Sequence, residues 1–152
     1  MGKIIEVKFE DHKEEVLAAA KEKIYGWLQA VGEDAASTAA NVLTMTDTID
    51  SGRLKNSINW ATQESYGDGD APQATPEANS VYIGTNVDYA VWHEFGTGKY
   101  AESGGRQTPW MFQDKDGEWH WTHGVPAKHY IQFGMTAHQS EYKNMLEQAM
   151  KE

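Results

Sequence analysis

The chain has 152 residues, no cysteine, and 13 Lys+Arg against 23 Asp+Glu, which gives a formal net charge of −10. This length predicts a single domain over residues 1–152. The absence of cysteine excludes a disulfide framework, a thiol nucleophile and a cysteine-ligated zinc site. The acidic balance argues against a protein that coats nucleic acid, because phosphate binding needs clustered Lys and Arg. No apolar run approaches the ~18 residues of a membrane span, so no membrane partner is expected.

The N-terminal third is predicted to be mainly helical. Alternating apolar residues over 5–9 predict a short strand. From Asp11 the apolar residues follow the 3.6-residue period, which predicts a helix that ends at Gly32. An alanine-rich stretch over 33–45 predicts a second helix, and 44–50 a loop. The apolar positions that predict the first helix are Leu17, Ala20, Ile24, Leu28 and Val31, and those that predict the second are Ala36, Ala39, Ala40 and Leu43.

Short elements separated by polar loops are predicted for the middle of the chain. Leu54, Ile58 and Trp60 share one face of a candidate strand that opens at 51–53. The stretch 66–80 is so rich in Gly, Asp, Pro, Asn and Ser that it predicts a flexible loop.

A strand and a helical turn follow this loop. Residues 81–83 are typical of a short strand ending at Gly84. Asp88 is a candidate cap for a helical turn over 89–95, which Gly96 terminates. The polar stretch 96–108 predicts a second flexible loop.

A hairpin and a helix are predicted to complete the chain. Alternating aromatics lead into and out of Asp116-Gly117, a strong hairpin signal, and we expect Trp110, Phe112, Trp119 and Trp121 to share one face. Apolar spacing predicts one amphipathic C-terminal helix beginning soon after Pro126, through Ile131, Met135, His138, Tyr142, Met145 and Ala149. The predicted class is α+β: a small antiparallel sheet packed against a long N-terminal helical segment and a C-terminal helix, with long polar loops.

Candidate catalytic patterns are incomplete. His93-Glu94 begins like the HExxH motif of zinc proteases, but Thr97 stands where the second histidine belongs. Gly96-Thr97-Gly98-Lys99 lacks the spacing of a phosphate-binding loop, so Gly96 and Gly98 are expected to permit positive φ instead. No serine lies in a G-x-S-x-G motif. No enzyme is predicted, and Glu94 is expected to be structural, in an ion pair with Arg53 or Arg106.

A metal site at the C-terminal histidines is also disfavoured. His120 and His123 are three residues apart, and on a strand that spacing sends two side chains to opposite faces. A shared metal would need a turn and a further ligand such as His129. The sequence therefore predicts no metal and no cofactor.

Three segments resemble motifs of a family of tailed-phage proteins. Residues 51–58 (SGRLKNSI) resemble its "TG-x-L-R-x-S-I" stretch, and residues 81–98 (VYIGTNVDYAVWHEFGTG) resemble "i-G-t-n-v-x-YA-x-x-x-E-f-GT". Residues 105–110 (GRQTPW), the Asp-Gly hairpin and 124–127 (GVPA) resemble its third block, which continues into a C-terminal helix. The family is the siphophage head–tail joining proteins, also called neck, tail-completion or tail-component proteins.

The positions that match these motifs are Gly52, Arg53, Leu54, Ser57, Ile58, Gly84, Tyr89, Ala90, Glu94, Phe95, Gly96, Thr97, Gly98, Arg106, Pro109, Trp110 and Pro126. The resemblance assigns them structural roles. We expect the glycines at 52, 84, 96 and 98 to serve backbone geometry. Leu54, Ile58, Tyr89, Phe95 and Trp110 are expected in the core.

The resemblance implies a non-enzymatic virion structural protein of the phage neck, assembled in the cytoplasm of the bacterial host. It implies a homo-oligomeric ring, six-fold or twelve-fold, around a channel through which DNA passes without sequence-specific binding. The implied partners are further copies of the chain, portal-bound connector or head-closure proteins, and a tail terminator or tail tube protein. The surplus of aromatics (six Trp, seven Tyr and four Phe) is the expected source of subunit contacts.

Two other functions stay open at this point. One is a monomeric, prophage-encoded adaptor or binding module of the same fold. The other is a metal-dependent hydrolase that uses His93, His120 and His123.

Overall fold

The computed structural model describes residues 10–46, 52–64 and 76–152. The strand predicted at 5–9, positions 47–50 of the first predicted loop and positions 66–75 of the second lie outside these ranges. The helices and strands are α1 (Lys13–Met45), α2 (Arg53–Ser57), β1 (Asn59–Thr62), β2 (Val81–Gly84), α3 (Ala90–Phe95), β3 (Trp110–Gln113), β4 (Trp119–Thr122), α4 (Tyr130–Thr136) and α5 (Gln139–Lys151), with a 3-10 turn at Gly98–Tyr100. The chain is of the α+β class, as predicted.

Helix α1 is one continuous helix of 33 residues, so the prediction of two helices separated at Gly32 is wrong. Gly32 is buried in the middle of α1 and does not end it. A Cβ atom there would lie 2.8 Å from Val81 Cγ2 and 2.9 Å from Trp60 Cβ. The glycine therefore lets β1 and β2 approach the helix closely, and its role is contact between elements rather than termination.

The strand predicted to open at 51–53 is replaced by the short helix α2, and the strand itself begins at Asn59. Gly52 precedes α2 with φ 75°, a left-handed conformation that favours glycine. Leu54 and Ile58 are four residues apart, a spacing that puts two side chains on one face of a helix as well as of a strand. The spacing of these apolar residues therefore could not distinguish a helix from a strand.

The core has two parts that share α1 as their wall. The first contains buried Leu43, Leu54, Val87 and Tyr130, with Ile58 and Tyr89 packed against it. The second contains Val31, Ala35 and Tyr142, with partly buried side chains of Trp27 and β2 beside them.

The described residues form two separate two-stranded antiparallel sheets, where one small sheet was predicted. In the first sheet, Asn59 of β1 pairs with Gly84 of β2, and Thr62 pairs with Val81. This sheet packs against α1. The second sheet is the β3–β4 hairpin, whose strands make their principal contacts with each other within the described chain.

The hairpin has a longer turn than its Asp-Gly signal predicted. The Asp114 N–H donates to the Glu118 carbonyl at 2.9 Å, and Gly117 adopts φ 84°. Three residues therefore form the loop, which shifts the register by one residue relative to a two-residue Asp-Gly turn. Trp110 pairs with Thr122, and Met111 pairs with Trp121.

This register corrects the prediction that four aromatics share one face. Directly paired residues of an antiparallel sheet lie on the same face. Trp110 and Phe112 therefore share a face with His120, whereas Trp119 and Trp121 lie on the opposite face with Met111.

The predicted C-terminal helix is two helices, α4 and α5, separated at His138. Gly134 brings α4 against α1, since a Cβ there would lie 2.6 Å from the Ala35 carbonyl oxygen. Helix α5 is fastened to α1 by Asp34, whose Oδ2 accepts hydrogen bonds from the Tyr142 hydroxyl at 2.6 Å and from His138 Nδ1 at 2.7 Å. Trp27 Nε1 donates to the Tyr142 carbonyl at 2.7 Å. The break redirects the chain so that α5 reaches these partners.

Candidate functional site

Helix α3 and the start of α4 are joined by the carboxylate of Glu94. This side chain is buried, and its oxygens accept hydrogen bonds from the backbone N–H groups of Ile131 at 2.8 Å and Gln132 at 3.1 Å. These are N–H groups that the first turn of α4 leaves without partners inside the helix. A negative charge is also favourable beside a helix N-terminus. Glu94 is therefore a cap for α4 supplied by a different helix.

Glu94 does not make the ion pair that the sequence predicted. Among the residues that the structure describes, no ion pair joins Glu94 to Arg53 or Arg106. Arg106 donates from Nε to the Thr108 hydroxyl at 3.0 Å and from Nη2 to the Pro109 carbonyl at 3.3 Å. Its guanidinium carbon lies 5.6 Å from the centre of the Trp110 ring. Arg106 thus binds the segment that leads into the hairpin. For Glu94, no local sequence signal predicted its hydrogen bonds to residues 131 and 132.

Backbone and side-chain bonds continue the α3–α4 junction. The Lys128 N–H donates to the His93 carbonyl at 2.7 Å, and the His129 N–H donates to the Glu94 carbonyl at 3.2 Å. The buried Tyr130 hydroxyl donates to the Ala90 carbonyl at 2.9 Å. Burial, followed by the charge of Glu94, raises the pKa of Tyr130. The hydroxyl therefore stays protonated and acts as a structural donor.

The glycine-rich segment after α3 holds the base of the hairpin. Gly96 and Gly98 have φ values of 77° and 59°, as the sequence predicted. A Cβ at Gly98 would overlap the carbonyl oxygen of His123. The Thr97 N–H donates to the Val125 carbonyl at 2.8 Å, and Thr97 Oγ1 accepts from the Val125 N–H at 2.9 Å. This part of the predicted flexible loop 96–108 therefore has fixed contacts, which lead into the segment that contains Pro126.

The first two motifs of the sequence meet at a hydroxyl pair. Leu54 and Ser57 are buried on α2, and Ser57 Oγ donates to the Leu54 carbonyl at 2.7 Å. Ser57 Oγ is also hydrogen-bonded to Thr85 Oγ1, which accepts the Val87 N–H at 3.1 Å. Gly84 ends β2 just before this pair. The segments that carry these two motifs thus contact each other through Ser57 and Thr85.

Two of the five predicted core residues, Phe95 and Trp110, lie outside the core. Phe95 is 51% exposed on α3, and Trp110 is half-buried beneath Arg106, outside both core clusters. Phe95 is exposed because Ala90 and Glu94 form the buried face of this short helix.

The histidines of the hydrolase alternative do not converge. In the described part of the chain, the group with possible metal-ligand geometry is Asp114, Glu118 and His120, without His93 or His123. Asp114 has a structural explanation, since its Oδ1 accepts the N–H groups of Asp116 and Glu118, each at 2.9 Å, and its Oδ2 lies 2.6 Å from His120 Nε2. The bond from His120, followed by the Glu118 N–H, lowers the pKa of Asp114. This carboxylate closes the turn of the hairpin.

His93 and His129 lie beside the α3–α4 junction. Burial, followed by the charge of Lys128, lowers the pKa of His93. His129 adopts φ 48° before α4, and its Nε2 lies 2.6 Å from Glu102 Oε1. The charged neighbours of these histidines are Lys128, just before α4, and Glu102, in the loop after α3.

Exposed apolar side chains form the clearest candidate for a functional surface. On α3 these are Val91, Trp92 and Phe95. On the hairpin Trp119 and Trp121 are 62% and 68% exposed. Exposed apolar patches of this kind mark interaction sites in folded proteins. The aromatic content predicted such a surface, but its residues depend on the hairpin register.

Comparison with known proteins found no match among family models, curated proteins or solved structures. Of the helices that the structure describes, none is both long enough and apolar enough to cross a membrane.

Proposed function

We propose that this chain is a non-enzymatic structural protein of the phage neck, which joins the head connector to the tail as a subunit of a ring around the DNA channel. The observation that carries the proposal is the exposure of Trp92 and Phe95 on α3 and of Trp119 and Trp121 on the hairpin of a small acidic chain. Two apolar surfaces per subunit are what a repeated head-to-tail contact requires. The motif resemblance supplies the particular assembly.

The matched motif residues support an architectural role. Glu94 caps α4, Gly98 allows the His123 carbonyl to approach closely, and Ser57 is hydrogen-bonded to Thr85. Each of these groups is used in holding elements together. The proposal therefore assigns function to the surfaces that this frame presents, which would contact further copies, portal-bound head-closure proteins and a tail terminator or tail tube protein.

The acidic charge suits a channel that conducts DNA. A formal charge of −10 per subunit would repel the phosphate backbone and prevent passing DNA from adhering to the wall. In this proposal the lumen is lined mainly by carboxylates. An assembled ring with Lys and Arg lining its lumen and the carboxylates outside would contradict this part.

Complementation of a deletion mutant tests the function. Deletion of the gene from the phage or inducible prophage that encodes it should give DNA-filled heads and separate tails, visible by electron microscopy. Purified protein added to the lysate should restore joined, infectious particles. Glu147→Gln, a change at an exposed position of α5, serves as the matched control and should restore them equally. Normal particles from the deletion mutant would refute the proposal.

Purified protein also distinguishes the monomeric adaptor. Native mass spectrometry over a range of concentrations, alone and with the head-closure and tail proteins, should reveal a closed oligomer in at least one mixture. A chain that remains monomeric in every mixture, and that is absent from purified particles, would favour the adaptor.

A further inference from the structure

An apolar groove lies between α3 and α4. Its volume is about 380 Å³, and Val91, Phe95, Ile131 and Met135 form its walls. Val91, Phe95 and Met135 are each between 45% and 51% exposed, so the groove opens to the surface.

The two buried polar side chains that line this groove, Glu94 and Tyr130, already have partners. The Glu94 carboxylate accepts two backbone N–H groups of α4, and the Tyr130 hydroxyl donates to the Ala90 carbonyl. An apolar side chain that enters the groove therefore leaves none of these buried groups unsatisfied. The groove is chemically suited to an apolar or aromatic side chain.

A complementary surface lies on the hairpin of the same chain. Trp119 and Trp121 project from one face of β4, and Met111, the partner of Trp121 in the register, lies on that face and is 45% exposed. This face has no covering helix or strand among the described elements. It presents two large indole rings, which gain more than most side chains from being buried.

The proposed ring makes a second copy of this chain the occupant of the groove, and charge limits where two such copies can meet. Copies that each carry −10 repel one another, so they must meet where carboxylates are scarce. Glu94 is the one carboxylate among the described residues that line the groove, and it is already bonded to two backbone N–H groups. The hairpin face formed by Met111, Trp119 and Trp121 also carries no ionisable side chain. Contact here removes no unpaired carboxylate from water.

The charges of the hairpin also select which indole enters. Trp119 follows directly after Glu118, close to the acidic turn with Asp114 and Asp116, whereas Trp121 lies two residues further from it. Insertion of Trp121 keeps the acidic turn in solvent.

We infer that Trp121 of one copy inserts into the α3–α4 groove of the next copy, with Trp119 and Met111 at its rim. The inference rests on the proposed ring and identifies its subunit contact. Each copy offers both a hairpin and a groove, so the contact is head-to-tail and repeats until the ring closes.

The buried area sets the expected strength of this contact. Full burial of an indole side chain covers about 150–250 Å². Two indoles that are 62% and 68% exposed therefore add about 200–300 Å², roughly a third of the ~800 Å² that each partner contributes to a standard interface. An isolated pair of copies binds weakly, and the method of detection must trap transient contacts.

Cysteine trapping fits this requirement because the natural chain contains no cysteine. Met111→Cys is placed in one chain and Val91→Cys in a second chain that carries a size tag, and the mixture is exposed to mild oxidant or a short bismaleimide. We expect a cross-linked heterodimer to form about tenfold faster than for Met111→Cys mixed with Ser140→Cys, an exposed control on α5, because docking raises the local thiol concentration.

A second substitution tests the anchor itself. Trp121→Ala in the Met111→Cys chain should reduce cross-linking to the control rate. Phe133→Ala in the Val91→Cys chain removes an exposed aromatic that is absent from the groove lining and should leave the rate unchanged. Far-UV circular dichroism and thermal unfolding of each variant confirm that the chains remain folded.

Three results would overturn the inference: cross-linking at the control rate, cross-linking that is insensitive to Trp121→Ala, or a predominance of Met111→Cys homodimers, which indicates hairpin-to-hairpin contact. The test is separable from that of the proposed function. Failed trapping with successful complementation rejects this contact alone. Successful trapping with normal particles from the deletion mutant rejects the neck assignment alone.

Discussion

Replacing Glu94 by Gln tests the cap that joins α3 to α4. The carboxylate accepts backbone N–H groups at 2.8 Å and 3.1 Å, but a glutamine has one acceptor oxygen and would direct its NH₂ group at the other N–H. The loss of one charge-assisted hydrogen bond costs about 1.5–3 kcal/mol. Loss of the negative charge at the start of α4 adds about 0.3–1 kcal/mol. We therefore expect a decrease of about 2–4 kcal/mol in the free energy of unfolding.

Urea and thermal unfolding, monitored by tryptophan fluorescence and far-UV circular dichroism, measure this decrease. A loss of this size corresponds to a decrease in Tm of about 4–16 °C for a domain of this length. Glu147→Gln removes one negative charge from an exposed position on α5 and should change stability by less than about 0.5 kcal/mol. If Glu94→Gln is as stable as this control, Glu94 does not cap α4 and the account of the junction is wrong.

Three further predictions use matched variants. Gly98→Ala should destabilise the fold by about 2–4 kcal/mol, since its Cβ would overlap the His123 carbonyl; Gly104→Ala, also at positive φ but in open space, should cost only about 1 kcal/mol in the same urea titrations. Gly134→Ala should lower Tm through collision with α1, whereas Gly26→Ala, with open space in α1, should raise stability by about 0.5–1 kcal/mol; equal effects on Tm would contradict the close helix contact. Hydrogen bonds from Tyr142 and then His138 lower the pKa of Asp34, and the bond to Asp34 raises the pKa of His138, so the α1–α5 link should be strongest between their ordinary values of 3.8 and 6.5. It should weaken as pH falls through the lowered pKa of Asp34 or rises through the raised pKa of His138, and Asp34→Asn should flatten this dependence in hydrogen exchange of α5.

Local sequence signals predicted the elements whose ends are determined by their own residues. The strand over 81–83 ends at Gly84, and α3 ends where Gly96 takes φ 77°. The predicted cap at Asp88 is wrong, since the N-cap of α3 is Tyr89 without a side-chain hydrogen bond, and Asp88 accepts only the N–H of Tyr89, at 3.0 Å. Turn and cap chemistry acts within a few residues, so it can be recognised without knowledge of the fold.

Contacts between distant elements could not be predicted in the same way. Gly32 has the sequence signature of a helix stop, yet it lies inside α1 against Trp60 and Val81. The cap of α4 comes from Glu94, which is 37 residues before Ile131. A glycine that ends a helix and a glycine that admits a neighbouring strand look alike in one sequence, because the difference lies in the partner.

The hairpin shows how a small local difference changes the available surface. A two-residue turn at Asp116-Gly117 would have placed Trp110, Phe112, Trp119 and Trp121 on one face, where they could cover one another across the strands. Asp114 instead accepts the N–H groups of Asp116 and Glu118, which stabilises a longer turn and shifts the register by one residue. Phe112 then lies against His120, with ring centres 5.5 Å apart, while Trp119 and Trp121 have no aromatic partner across the hairpin. The indole surface that we propose for subunit contact is thus a consequence of the Asp114 turn, and a substitution that restores a two-residue turn should remove that surface without changing a single tryptophan.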